Sequence, residues 1–128
     1  MQPRQGDNAI EVRNLTKVYG GKRGRADVLA LDKVSFHVGW GEFVALLGEN
    51  GAGKTTALKI LCTLVLPDDG EARVAGYDVV KGADTVRSRI GWMHGETGGR
   101  ALYWRLNAWD NLRFFAYLQS IPRDEASK

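Results

Sequence analysis

The feature that most constrains the fold of this chain is the segment GENGAGKT at residues 48–55. It places three glycines and a lysine between an apolar run, EFVALLG at 42–48, and a helix-like run that starts near Lys54. The spacing G-x-x-x-x-G-K-[ST] is typical of a loop whose backbone amides surround phosphate oxygens. The sequence therefore predicts a phosphate-binding loop between a buried strand and a helix.

Each part of this loop has an expected task. Glycines permit the backbone angles and the close approach to phosphate that the wrapping needs, and they are Gly48, Gly51 and Gly53. The helix that follows directs the positive end of its dipole at the same anion. Lys54 adds a positive charge for the outer phosphates, the Thr55 hydroxyl is placed to bind a magnesium ion, and Thr56 can contact an inner phosphate.

The flanking segments predict an α/β fold with antiparallel strands at the N-terminus. Residues 9–19 and 28–38 alternate apolar and polar residues, which is typical of strands, and the Gly-rich residues 20–27 predict a hairpin-type connection. The run at 42–48 is nearly all apolar, as in a strand buried on both faces. A helix is expected from Gly53–Lys54 to about Leu66.

Shorter elements are expected in the second half of the chain. Residues 72–80 predict short strands around Gly76, and residues 82–89 predict a short helix capped near Asp84. Residues 89–94 predict another strand. Asn107 is a candidate N-cap for a helix with an apolar face, which holds Trp109, Leu112, Phe115 and Ala116. The aromatic residues of this helix favour core packing, with a partner-docking face as the alternative.

Composition and charge limit the classes of function. The chain has 128 residues, a net charge of +3 and one cysteine, Cys62, so it cannot form an internal disulfide. The basic cluster at residues 22–25 favours a solvated loop over a phosphate or lipid contact. No stretch approaches the ~20 apolar residues of a membrane span, and MQPRQGDN lacks the apolar segment of a signal peptide. We expect a cytoplasmic protein, attached to a membrane only through a partner.

The order and spacing of several segments resemble the N-terminal half of an ABC (ATP-binding cassette) ATPase domain. These segments are VRNLTKVYG, ALDKVSFHVGWGEFVALLGENGAGKTTALKIL, PDDGEARVAGYDV and RIGWM. The resemblance covers residues 9–120, and LYWRLNAWDNLRFFAYL is further similar to cassettes of multidrug and polysaccharide exporters. It implies an incomplete P-loop NTPase core with an N-terminal antiparallel β subdomain, a flexible tail at 1–8 and a truncated end at 121–128.

The resemblance also implies roles for individual residues. Tyr19 aligns with the aromatic residue that stacks on adenine, although packing of Tyr19 on the core is the alternative. Asn50 and the backbone of residues 51–56, which include Ala52, would hold the phosphates of ATP. The family usually has a Gln that reaches Mg²⁺ and the attacking water, but here that position falls on Gly95. Glu96 is the nearest side chain able to take over this catalytic role beside Lys54, and an exposed loop acid is the alternative; His94 is more simply structural.

The resemblance implies further parts that residues 1–128 do not contain. The family has an apolar strand that ends in Asp-Glu, a switch His and a Ser-Gly-Gly signature supplied by a second subunit. We therefore expect a fragment that holds the nucleotide-binding half without the catalytic base. A complete subunit would bind ATP and Mg²⁺, pair head-to-tail with a second ATPase subunit, hydrolyse ATP and drive export through a separate transmembrane permease.

Other classes of protein stay open at this stage. One is a module that binds nucleotide without hydrolysing it. Another is a soluble, non-transport ABC ATPase that acts on nucleic acid, but the sequence has no strong basic stripe and we expect no nucleic-acid partner. A P-loop kinase or GTPase is a third, and the guanine-reading tetrapeptide N-K-x-D of GTPases does not occur.

Overall fold

The computed structural model describes residues 8–21, 26–92, 103, 105–118, 121–122 and 124–125. The chain divides into two compact units, residues 1–92 and 93–128. The first unit contains, in chain order, β1 (Asn8–Tyr19), β2 (Val28–Gly39), α1 (Lys54–Leu61), β3 (Asp69–Val74), β4 (Tyr77–Asp78) and α2 (Ala83–Arg87). The second unit contains α3 (Ala108–Leu118).

The strands of the first unit form one antiparallel sheet in the order β2-β1-β3-β4. β1 lies between β2 and β3, so that Ile10 is opposite Val38 on one side and Val74 on the other. This arrangement confirms the antiparallel β subdomain and the pairing of β1 with β2. Short strands around Gly76 are confirmed as well.

An irregularity in β1 changes which residues face the core. Val12 and Leu15 are both buried although they are three positions apart, because the register of β1 shifts between them. Asn14 has a φ of 48°, as in a β-bulge, and its amide donates a hydrogen bond of 2.8 Å to Ser35 Oγ. Gly70 lies against the same site, where a Cβ would be 2.3 Å from the Asn14 carbonyl oxygen. The bulge therefore allows a three-residue apolar spacing inside a strand.

The hydrophobic core forms where α1 packs on the sheet. Leu15 of β1 and Ile60 of α1 are fully buried, and Val86 of α2 adjoins them in the same cluster. The other buried members of this cluster are Val12, Leu31, Ala57, Leu61, Ala72, Val74 and Val79. Burial of an aliphatic side chain contributes about 1.5–3 kcal/mol, so this cluster holds α1, and with it the preceding loop, in place.

The prediction of a strand at 42–48 is wrong, since this segment lies outside the sheet. Phe43 is 98% exposed and Leu47 is 90% exposed. A strand requires a neighbouring strand with which to exchange backbone hydrogen bonds, and no described residue pairs with 42–48. The strand expected at 89–94 is likewise absent from residues 90–92, and residues 93–94 lie outside the described part of the chain.

The helix after the loop ends earlier than expected, at Leu61 rather than near Leu66. The amide of Thr63 donates to the Ile60 carbonyl and the amide of Leu64 donates to the Lys59 carbonyl, with Thr63 at a φ of 61°. These two bonds form a Schellman motif, which terminates a helix and usually carries glycine at the left-handed position. Because threonine occupies that position here, the sequence pattern does not predict the end of the helix at Leu61.

Of the two predicted N-caps, the one for α2 is wrong and the one for α3 is confirmed. α2 begins after Gly82 rather than near Asp84, and the Asp84 carboxylate instead pairs with Arg87 one turn later. In the second unit, Asn107 Oδ1 accepts a hydrogen bond of 2.8 Å from the Asp110 amide at the start of α3. This bond confirms Asn107 as the cap.

The apolar face predicted for α3 is largely exposed within the described residues. Leu112 is 65% exposed and Trp109 is 50% exposed, so the prediction of core packing is wrong for Trp109. The buried residue is Asn111, whose amide group donates to the carbonyls of Leu106 and Asn107. Among the helices formed by the described residues, none is long and apolar enough to cross a bilayer.

Candidate functional site

The loop at residues 48–53 is joined to β2 through Gly53. Gly53 has a φ of 83° and directly precedes α1. A Cβ at this position would lie 2.2 Å from the Ala30 carbonyl oxygen and 2.8 Å from Leu31 Cδ2. Both the backbone angle and the close approach require glycine. The start of α1 is therefore held directly against the second strand of the hairpin.

The backbone of the loop keeps its amides available. Gly48 and Gly51 have φ values of 153° and 90°, and the Ala52 amide donates to the Glu49 carbonyl over 3.2 Å. Within the described parts of the chain, the amides of residues 50, 51 and 53–56 donate to no protein atom. Unpaired amides at the start of a helix, together with the helix dipole, favour an anion. None of these amides takes part in the backbone hydrogen bonds of the sheet.

Lys54 closes this loop from within. Its Nζ donates hydrogen bonds of 2.6 Å each to the carbonyl oxygens of Gly48 and Glu49. None of the ion pairs among the described residues involves Lys54, so no carboxylate of these residues neutralises its charge. The ammonium group therefore fixes the start of the loop and leaves a positive charge beside the free amides.

The two threonines after Lys54 differ in exposure. Thr55 is exposed and Thr56 is half-buried, and neither hydroxyl makes a hydrogen bond to the described protein atoms. Across the described residues, no group of three His, Cys, Asp or Glu side chains is arranged to hold a metal ion. Mg²⁺ is commonly bound by few protein ligands together with phosphate oxygens and water. The residues present thus fit a phosphate ligand that brings its metal ion with it.

Tyr19 stands at the end of β1. Tyr19 pairs with Val28 across the hairpin. Val28 is two residues before Ala30, whose carbonyl oxygen lies against Gly53. From the spacing along and across strands, the Tyr19 backbone lies on the order of 10 Å from the start of α1. Its side chain is 39% exposed rather than packed in the core. The strand register therefore places Tyr19 near the part of β2 that lies against the loop.

The remaining candidates have different outcomes. Asn50 and Ala52 are exposed at the rim of the loop. Gly95, Glu96 and His94 lie outside the described residues.

Sequence reasoning missed two residues beside Tyr19. Lys17 Nζ lies 5.5 Å from the centre of the Tyr19 ring and 3.0 Å from Asp68 Oδ1. The Val18 amide donates to Asp68 Oδ2 over 2.7 Å. The Val18 amide, and after it the Lys17 ammonium, hold the pKa of the Asp68 carboxyl below its ordinary value. Residues 17 and 68 are 51 positions apart, and no local pattern in the sequence links them.

Comparison with known sequences identifies the family of the chain. The sequence profile described as ABC transporter matches residues 31–126, which include the loop and α1. The chain belongs to the ABC transporter family. The predicted resemblance and the P-loop NTPase fold class are thereby confirmed.

Individual members of the ABC transporter family show how much of a relative the chain covers. It is 40% identical over 111 residues to the probable multidrug ABC transporter ATP-binding protein YbhF of Escherichia coli K12, covering 87% of this chain and 18% of YbhF. It is 44% identical over 99 residues to the ABC transporter ATP-binding protein NatA of Bacillus subtilis, covering 77% of this chain and 39% of NatA. The chain thus spans less than half the length of these relatives.

Two solved structures from the ABC transporter family resemble the fold. The ATP-binding subunit of an ABC transporter matches with a TM-score of 0.67 and 31% identity, over 91% of this chain and 45% of the other. A dimeric ATP-binding cassette in a post-hydrolysis state, bound to ADP and Pi, matches with a TM-score of 0.69 and 28% identity, over 89% of this chain and 48% of the other.

Proposed function

We propose that this chain binds ATP with Mg²⁺ as part of an ABC ATPase subunit that drives export through a separate membrane permease. The observation that carries the proposal is the loop at 48–53. A polyphosphate requires hydrogen-bond donors and positive charge. The free amides of the loop and of the first turn of α1 supply the donors, and the Lys54 ammonium supplies the charge. Tyr19 supplies an exposed aromatic ring for the base.

The proposal assigns separate tasks to the groups of the site. Lys54 and the amides of residues 50–56 hold the phosphates, and Thr55 provides a hydroxyl ligand for the magnesium ion that arrives with the nucleotide. Bound Mg²⁺ neutralises charge on the phosphates. Glu96 acts in the complete enzyme on the metal ion or the water. The proposed boundaries are a tail at 1–8, the cassette at 9–120 and a terminal segment at 121–128.

Nucleotide titration of the purified protein tests the binding. We expect ATP and inorganic tripolyphosphate to bind, adenosine to bind far more weakly, and EDTA to reduce the affinity for ATP. Thr55→Val removes the hydroxyl with little change of shape, so it should abolish the effect of Mg²⁺ while ATP still binds. Thr85→Val, in α2, is the matched control. Equal affinity for ATP and adenosine would contradict the proposal.

The catalytic assignment has its own experiment. Glu96→Ala should leave ATP binding intact and remove Mg²⁺-dependent ATP hydrolysis by the complete subunit, measured as phosphate release. Full hydrolytic activity of the variant removes Glu96 from the site. ATP binding by the unaltered protein with no phosphate release would favour the alternative of a binding module without turnover.

The partners proposed for the complete subunit are a second ATPase subunit, in a head-to-tail dimer, and the permease. The similar cassette bound to ADP and Pi is dimeric, and the relatives YbhF and NatA are named as ATP-binding proteins of transporters. We therefore propose that the protein is a peripheral subunit on the cytoplasmic face of the membrane. Alkaline carbonate should release it from isolated membranes; retention after this wash would contradict peripheral attachment.

A further inference from the structure

Lys17, Tyr19 and Asp68 form a contiguous group at the end of β1. The Lys17 ammonium lies 5.5 Å from the centre of the Tyr19 ring and 3.0 Å from the Asp68 carboxylate. The Lys17 side chain is only 14% exposed, so its charge is partly removed from water. A cation over an aromatic face is attracted by the ring, and this attraction is stronger where the cation is desolvated.

Asp68 holds this end of the strand at several points. One carboxylate oxygen accepts from Lys17 and the other accepts from the Val18 amide over 2.7 Å. The Asp68 amide in turn donates to the Thr16 carbonyl over 3.0 Å. Asp68 thus fixes both the backbone that carries Tyr19 and the ammonium group that lies over its ring.

The same segment links the ring to the phosphate loop. α1 starts at Lys54, next to the loop, and ends at Leu61, and the turn after it leads to Asp68. One continuous stretch of chain therefore includes the phosphate loop at its start and Asp68, the partner of Lys17, at its end. The two halves of the proposed nucleotide site are connected through this stretch as well as through Gly53 and β2.

We propose that Lys17, held by Asp68, is a positioning residue that fixes the Tyr19 ring for a purine base, which stacks on the ring face opposite the ammonium. This inference rests on the proposed ATP-binding function. Lys17 lies over one face of the ring, and Tyr19 is 39% exposed. A ring that is ordered before binding loses less conformational freedom when the base arrives.

The effect should be confined to ligands that carry a base. Ordering one side chain is worth about two- to tenfold in affinity, so Lys17→Met should weaken ATP binding by about that factor. Tripolyphosphate carries the same phosphate groups without a base, and its affinity should stay unchanged. A Lys17 that acted only by attracting phosphate would weaken both ligands.

The test measures ATP and tripolyphosphate affinity for the purified full chain by isothermal titration. Lys17→Arg keeps a cation over the ring and a partner for Asp68, so it should restore most of the ATP affinity. In a Tyr19→Ala background, Lys17→Met should cause no further loss of ATP affinity. Lys33→Met, at an exposed position of β2, removes the same charge elsewhere and should change neither affinity.

Each outcome decides between the alternatives. Unchanged ATP affinity in Lys17→Met, or an equal loss for ATP and tripolyphosphate, overturns the positioning role while the proposed function stands. If circular dichroism shows that Lys17→Met is unfolded, Asp68→Asn is measured by the same criteria, because the amide oxygen still accepts from Val18 while the charge that holds Lys17 is gone. Failure of the unaltered protein to bind either ligand removes the proposed function and this inference together.

Discussion

Gly53 and Ala30 approach so closely that a Cβ on Gly53 would lie 2.2 Å from the Ala30 carbonyl oxygen. This contact joins the phosphate loop to β2, the strand that pairs with β1 and Tyr19. The hairpin and the loop therefore cannot shift independently. The site is assembled from two segments that are distant in sequence because one residue without a side chain lets them meet.

The first prediction concerns this contact. Gly53→Ala introduces both a clash with backbone and a strained φ, so we expect a loss of about 2–4 kcal/mol in the free energy of unfolding and loss of ATP binding. Gly51→Ala is the matched control, since Gly51 also has a positive φ but nothing lies within 4 Å of the added Cβ. It should cost about 1–2 kcal/mol. Urea unfolding measures both, and equal losses would show that the contact has no importance.

The second prediction concerns Lys54. Lys54→Ala removes a positive charge from the phosphates and also the two hydrogen bonds to the Gly48 and Glu49 carbonyls. We expect nucleotide affinity to fall by a factor of about 100 or more, since charge-assisted hydrogen bonds are each worth about 1.5–3 kcal/mol. Lys59→Ala, in the last turn of the same helix, is the control and should bind ATP normally. Unchanged ATP affinity in Lys54→Ala discredits the loop as the binding site.

The third prediction concerns the bulge of β1. Gly70→Ala places a Cβ 2.3 Å from the Asn14 carbonyl at a φ of 83°, so the free energy of unfolding should fall by about 2–4 kcal/mol. Gly41→Ala has a similar φ of 80° with open space around the Cβ and should cost about 1–2 kcal/mol. Thermal unfolding compares the two. A Gly70→Ala protein as stable as Gly41→Ala would mean that β1 and β3 separate easily at this point.

The fourth prediction concerns pH. The Val18 amide and the Lys17 ammonium lower the pKa of Asp68 in the folded state, so the ionised carboxylate stabilises the fold. This contribution is fully present above the pKa of the unfolded chain, about 3.9, and is lost as the pH falls through the lower folded pKa. The Lys81 amide, and in addition the Val80 amide, lower the pKa of Asp78 in the same direction.

The comparison of the unaltered protein with Asp68→Asn isolates this contribution from that of Asp78. The difference in urea midpoint should be constant from about pH 5 to pH 7 and should shrink below about pH 4. A difference that does not vary with pH would mean that the Asp68 charge does not contribute to stability. The experiment needs no ligand.

Much of the candidate site follows from local sequence. The spacing of Gly48, Gly51, Gly53, Lys54 and Thr55 is a local pattern, and the structure places these residues in one loop at the start of α1. The strands β1 and β2 and the cap at Asn107 also follow from patterns within a few residues. Periodicity and capping act over one or two turns, so the sequence reveals them directly.

Other features could not be predicted from the local composition. The apolar run at 42–48 has the composition of a buried strand but no described neighbour to pair with, so pairing rather than composition decides its state. The Schellman motif at Thr63 arises without the usual glycine. In the first case the lack of a described pairing strand, and in the second the hydrogen bonds of the Thr63 and Leu64 amides, override the local preference.

The sequence by itself determined the identity of the phosphate loop, because glycine spacing and a following helix act locally and need no distant partner. Only the tertiary structure decided that Gly53 meets Ala30, that Tyr19 stands near the loop and that Asp68 holds Lys17. These contacts join residues separated by tens of positions. Their geometry is set by sheet register and core packing, which no short pattern in the chain encodes.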